Sequence, residues 1–189
     1  MHVTMFEYLS EFNQVLVTGP QRSGTAICAK MIATDLGYRF MAESHMWDGG
    51  RDTEEWVTLR RVLGKYDNIT VQCPMQCRWI HQFSADNVAI VMMLRNLEDI
   101  RASELRIGWN DWRQRRMYEG LVGGSDDMHI AVVKWLYWER VQKSDILHPF
   151  EVAYEFLVEH PLWVPSELRN NWGPMCIDVG DKFHDEIWV

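Results

Sequence analysis

Two short segments carry residue types and spacings suited to holding a small anion. The first is Gly19-Pro20-Gln21-Arg22-Ser23-Gly24-Thr25-Ala26. A glycine-bearing turn that feeds a helix presents unpaired backbone N–H groups and the positive end of the helix dipole, which together attract phosphate-like groups. Gly19 and Gly24 keep the spacing of the G-x-x-x-x-G-K-[ST] phosphate loop, but Thr25 stands where that frame has lysine. Arg22 is the cation of this loop. Without the lysine, the charge that cradles β- and γ-phosphates is missing, so the spacing predicts a phosphate-like ligand rather than ATP hydrolysis. The second segment is Arg95-Asn96-Leu97-Glu98-Asp99-Ile100-Arg101-Ala102-Ser103. Asn96 is a good helix N-cap, and Asp99 at the third helical position favours the dipole. Arg95 then sits just before the cap. Ser103, two turns on, lies on the same helix face, so both could meet one anion.

These segments need elements to position them. Gln14 to Thr18 reads as a buried strand, and Thr25 to Leu36 as a helix closed by Gly37. Tyr38–Met41, Ile69–Cys73, Val88–Leu94 and Phe150–Tyr154 read as further strands. Val88–Leu94 is apolar throughout, as in a sheet covered on both faces. Helices are predicted from Asp52 to about Leu63, around Gln76 to Gln82, from Leu97 to about Tyr118 with a break near Gly108, and from Met128 to Gln142. The alternation predicts a three-layer α/β/α fold with a central, mostly parallel sheet of about five strands. Ligands of such sheets sit beyond the carboxyl ends of the strands, where both anion segments fall.

Together the two segments resemble those of the sulfotransferase family that uses 3′-phosphoadenosine-5′-phosphosulfate. Pro20-Gln21-Arg22-Ser23-Gly24-Thr25-Ala26 is similar to that family's P-x-[KR]-[ST]-G-T-[TS] loop. Arg95 to Ser103 is similar to its R-x-P-x-D-x-x-x-S motif, with the Arg-to-Ser separation kept and Leu97 in place of proline. Val152-Ala153-Tyr154-Glu155-Phe156-Leu157 looks like its later V-x-Y-E-x-L element. The resemblance implies a single P-loop-like domain over 1–189 that releases adenosine 3′,5′-bisphosphate. It implies that Gln21, Arg22, Ser23, Gly24, Thr25 and Ala26 hold the 5′-phosphosulfate, with Arg22 on the bridging and leaving oxygens, and that Arg95 and Ser103 hold the 3′-phosphate. The chain departs from the family pattern in several places. Ala26 replaces a loop hydroxyl. Gln72-Cys73-Pro74 stands where cytosolic members carry Lys and His. The C-terminal glycine-rich closure is reduced to Trp172-Gly173-Pro174 at most.

Transfer to a hydroxyl also needs a general base. Glu43 and His45 are the candidates after the second strand, with Asp48 behind them. Trp47, Trp56, Trp109 and Trp112 offer an aromatic wall for an acceptor. Arg113, Arg115 and Arg116 read as a solvated helix face. Cys73 and Cys77 read as buried thiols, since a C-x3-C pair lacks the second ligand pair of a zinc site. Two other functions stay open. The loop frame suits a small nucleoside or nucleotide kinase. Ala26 and the missing closure suit a non-catalytic nucleotide-binding relative.

Composition narrows the field. The chain has 189 residues, 47% hydrophobic and 24% charged, which fits one folded domain. Its net charge of −8 argues against a general nucleic-acid binder, whose affinity comes from neutralising phosphates. The longest apolar run, Val88 to Leu94, is far short of the roughly 20 residues of a membrane span. The N-terminus reads as a cytoplasmic start, without a signal peptide. The expected acceptor is a small molecule or a carbohydrate. The sequence is silent on oligomeric state.

Overall fold

The structure is a computed structural model that describes residues 4–43, 52–109, 128–163 and 177–178, with backbone only for 52–56 and 177–178. Five parallel strands, β1 (Gln14–Thr18), β2 (Arg39–Met41), β3 (Ile69–Gln72), β4 (Val88–Leu94) and β5 (Pro149–Ala153), form the sheet. A two-residue strand, β6 (Ile177–Asp178), pairs with the outer side of β2. The order is β5-β4-β1-β3-β2-β6. β1 lies between β3 and β4, with Val17 opposite both Gln72 and Val91. After β3 the chain crosses to the other side of β1. That reversal opens a crevice at the carboxyl ends of β1 and β4, where the two anion segments begin.

Both faces of the sheet are covered, which is why β1 and β4 are almost uniformly apolar. On one face α1 (Thr25–Leu36) packs Ile27, Cys28, Met31 and Ile32 against Val15, Val17, Ala89 and Val91. On the other, α2 (Asp52–Lys65) brings Leu59 and Val62 against Leu16, Val71, Ile90 and Met92, beside the fully buried Trp138. The three-layer α/β/α architecture is therefore as expected from the alternation of elements. Cys28, Cys73 and Cys77 are buried, and no disulfide joins them to one another. Burial pushes the Cys28 thiol pKa well up, so its reactive thiolate is suppressed. A thiol reagent added to the native protein is expected to spare all three until denaturant exposes them; fast native labelling at any of them would contradict this packing.

Several boundaries differ from the expectation. The segment after β3 forms two 3-10 turns, Pro74–Arg78 and Ile80–Phe83, rather than one helix. α3 runs only from Leu97 to Arg106. Gly108 adopts a left-handed φ of 69°, and Trp109 N–H bonds back to the Glu104 carbonyl at 3.0 Å, closing the helix end. The predicted continuation to Tyr118 lies outside the described residues from 110 on. α4 spans Ile130–Tyr137 and then widens into a π-helical turn over Trp138–Gln142. Among the described residues, no helix is long and apolar enough to cross a membrane.

Candidate functional site

The turn after β1 bends because Ser23 is folded inward. Its N–H and its hydroxyl both donate to the Pro20 carbonyl, at 3.2 and 2.6 Å, and the side chain is fully buried. Ser23 therefore shapes the loop from within. Arg22 is left exposed at the apex with φ of 65°, an uncommon conformation for a side-chain-bearing residue. Gly24 follows as the α1 N-cap with φ of 95°. A Cβ there would stand 2.4 Å from the Tyr154 ring, so both backbone conformation and space require glycine. Helix geometry leaves the first N–H groups of α1, on Thr25, Ala26 and Ile27, without i−4 carbonyl partners. These three residues line the cavity described next.

That cavity is about 330 Å³. The loop forms one wall through Gln21, Arg22, Gly24, Thr25, Ala26 and Ile27. Glu43, Gln72 and Pro74 form a second wall, and Arg95 and Trp109 a third. Eight of the residues singled out from sequence thus share one cavity: Gln21, Arg22, Gly24, Thr25, Ala26, Glu43, Arg95 and Trp109. Ser103 is buried just behind, where its hydroxyl accepts from Arg22 Nε at 2.9 Å. Arg95 Nη1 donates to the Arg22 carbonyl at 2.7 Å. The two anion segments are joined directly, side chain to backbone and side chain to side chain.

Arg95 is held flat. Its guanidinium lies 4.0 Å from the centroid of the Tyr154 ring. Its Nε is buried without a hydrogen-bond partner among the described residues. A buried, unsatisfied donor on a charged group is costly, and an anion in the cavity would relieve it. The neighbouring Asn96 caps α3, accepting from Glu98 N–H at 2.9 Å, and Asn96 N–H donates to Glu155 Oε1 at 3.2 Å. Tyr154 and Glu155, from the segment after β5, thus brace the second anion segment. Removing the cap in Asn96→Ala is expected to cost about 1 kcal/mol in denaturant unfolding. A change below a few tenths would mean that α3 is held by its packing alone.

A hydrogen-bonded chain fixes the opposite wall. Glu43 N–H donates to Gln72 Oε1 at 3.2 Å, and Gln72 Nε2 donates to Thr25 Oγ1 at 3.4 Å. Glu43 Oε1 accepts from Met75 N–H at 2.9 Å. The Glu43 side chain is half-buried. It lines the cavity. His45 and Asp48 lie outside the described residues, as do Trp47, Trp112, Arg113, Arg115, Arg116 and Trp172 to Pro174. The Trp56 side chain is outside them too. Among the described residues, no cluster of His, Cys, Asp and Glu could hold a metal ion.

Some contributors escaped the sequence reading. Gln72 and Pro74 stand at the tip of β3. Tyr154 read as a strand end and as part of the V-x-Y-E-x-L element, without its contacts to Gly24 and Arg95; β5 ends one residue before it. Lys134 lay in the apolar run Ile130-Ala131-Val132-Val133-Lys134-Trp135 and carried no signal beyond being its one charge. It is buried, and Nζ donates to Gln21 Oε1. No protein-family model matches the chain, and no curated protein matches it.

Proposed function

We propose that the chain is a sulfotransferase moving a sulfuryl group from 3′-phosphoadenosine-5′-phosphosulfate to a hydroxyl or amine of a small-molecule or carbohydrate acceptor. The observation that carries this reading is the linkage Ser103–Arg22–Arg95 at the mouth of one cavity over the α1 N-terminus. One feature fits such a donor: the buried Arg95 Nε lacks an acceptor among the described residues.

The donor supplies an activated sulfuryl group; the chain's work is positioning, charge and proton handling. The N–H groups of Gly24, Thr25 and Ala26 hold the 5′-phosphate at the positive end of α1. Ser23 keeps the loop in shape rather than contributing its hydroxyl. Arg22 faces the charge that develops on the bridging oxygen. Arg95 holds the 3′-phosphate and so selects a 3′-phosphorylated nucleotide over ATP, while Ser103, behind the cavity, fixes the Arg22 guanidinium. Glu43, which lines the cavity, is the base that takes the acceptor's proton, with His45 the alternative. Trp109, half exposed on the third wall, offers the acceptor a flat apolar surface. The same reading takes the chain as cytoplasmic, without a nucleic-acid partner, in keeping with its net charge of −8.

Calorimetric titration tests it. Adenosine 3′,5′-bisphosphate is expected to bind more tightly than adenosine 5′-monophosphate. No binding at millimolar bisphosphate overturns the proposal. Preferential binding of Mg-ATP, with transfer of its γ-phosphate to a nucleoside, would replace it with the kinase reading.

A further inference from the structure

Lys134 is 2% exposed in the middle of an otherwise apolar helix. A buried ammonium is unfavourable unless it is hydrogen-bonded and faces opposite charge. Its Nζ donates to Gln21 Oε1, and Gln21 Nε2 donates onward to Met75 Sδ at 3.0 Å. The Gln21 amide is therefore held at both ends, with its oxygen turned toward the cation. Burial pushes the Lys134 pKa down, and Cys77, Glu43 and Glu104 act against that shift. Glu43 lines the cavity.

The helix under Lys134 is itself anchored to both anion segments. At its start, His129 Nδ1 accepts from Ala131 N–H at 3.1 Å, which leaves Nε2–H to donate to Glu104 Oε2 at 2.9 Å. Glu104 is the neighbour of Ser103 on α3. One residue past Lys134, Trp135 Nε1 donates to the Met93 carbonyl at 3.1 Å, near the tip of β4. The lysine is thus pinned between α3 and β4 and aimed at the loop after β1.

We propose that Lys134 is the positioning residue of the anion loop: from α4 it clamps Gln21 and holds the loop in its binding shape. The inference rests on the reading of that loop as an anion site. Lys134 and Gln21 are 113 residues apart, so only the fold joins them.

The test compares the full chain with Lys134→Met, Gln21→Leu and the double variant. Two probes are titrated by calorimetry, inorganic pyrophosphate and adenosine 3′,5′-bisphosphate, well below each variant's melting temperature. Each single variant is expected to bind pyrophosphate about ten-fold more weakly, the scale of one charge-assisted hydrogen bond, and the double variant no more weakly still. Wild-type affinity in the single variants overturns the clamp, whatever happens to melting temperature. Additive losses in the double variant also overturn it, because the two residues would then act separately. Should Lys134→Met fail to fold, Gln21→Leu cuts the same bond from the more exposed side and decides the question. Pyrophosphate binding without bisphosphate binding overturns the sulfotransferase reading and leaves the clamp to be judged on pyrophosphate. A wild-type chain that binds neither probe overturns both.

Discussion

Gly24→Ala is expected to destabilise the protein by about 3 kcal/mol and to abolish nucleotide binding. Two terms contribute. An L-residue held at φ of 95° carries roughly 1–2 kcal/mol of backbone strain. The new methyl would sit 2.4 Å from Tyr154 Cδ2, an overpacking worth roughly 1–3 kcal/mol. Relief of the second term displaces the Tyr154 ring, and with it the Arg95 guanidinium stacked 4.0 Å from the ring centroid. Denaturant unfolding in two backgrounds separates the terms. With Tyr154→Ala the cost of Gly24→Ala should fall to the strain alone, about 1–2 kcal/mol. With Tyr154→Phe it should stay whole, since the ring remains. Equal costs in all three backgrounds would show that the wedge of Tyr154 against Gly24 does not operate.

Arg95→Ala carries the largest expected effect on binding. It removes the stacked guanidinium, the bond to the Arg22 carbonyl, and the Nε donor that lacks a partner among the described residues. Loss of two charge-assisted contacts predicts roughly a hundred-fold weaker affinity for adenosine 3′,5′-bisphosphate. Adenosine 5′-monophosphate affinity should fall much less, because the α1 N-terminus is untouched. Discrimination between the two nucleotides therefore collapses in the variant. An equal loss for both would instead mean that Arg95 acts by holding the Arg22 backbone, and the 3′-phosphate assignment would fail. Arg95→Lys should not restore discrimination, since an ammonium neither stacks flat on Tyr154 nor offers a planar fork.

Local chemistry was legible along the chain. Gly24 and Gly37 bound α1 because a side chain is disfavoured where the chain turns left-handed, and both glycines stand at those turns. Asn96 caps α3 because its short side chain reaches an N–H two residues on. The uniform burial of Val88 to Met93 follows from a strand covered on both faces. Each of these effects acts between residues a few positions apart, so type and spacing suffice to read it. The end of α3 was half legible: the reading ran to Tyr118 with a break near Gly108, and the left-handed turn at Gly108 closes the helix there.

What only the tertiary structure decided is which distant residues meet. Strand order places β1 beside both β3 and β4, and so brings the loop of Arg22 against Ser103, Arg95 and Gln72. Spacing along a chain cannot give strand order, because parallel strands are paired through crossovers whose hydrogen bonds are blind to sequence distance. The contacts of Tyr154 and the role of Lys134 were illegible for the same reason. A tyrosine after a strand and a lysine in an apolar helix acquire meaning only from the cavity left by Gly24 and the amide offered by Gln21, and packing alone determines those neighbours.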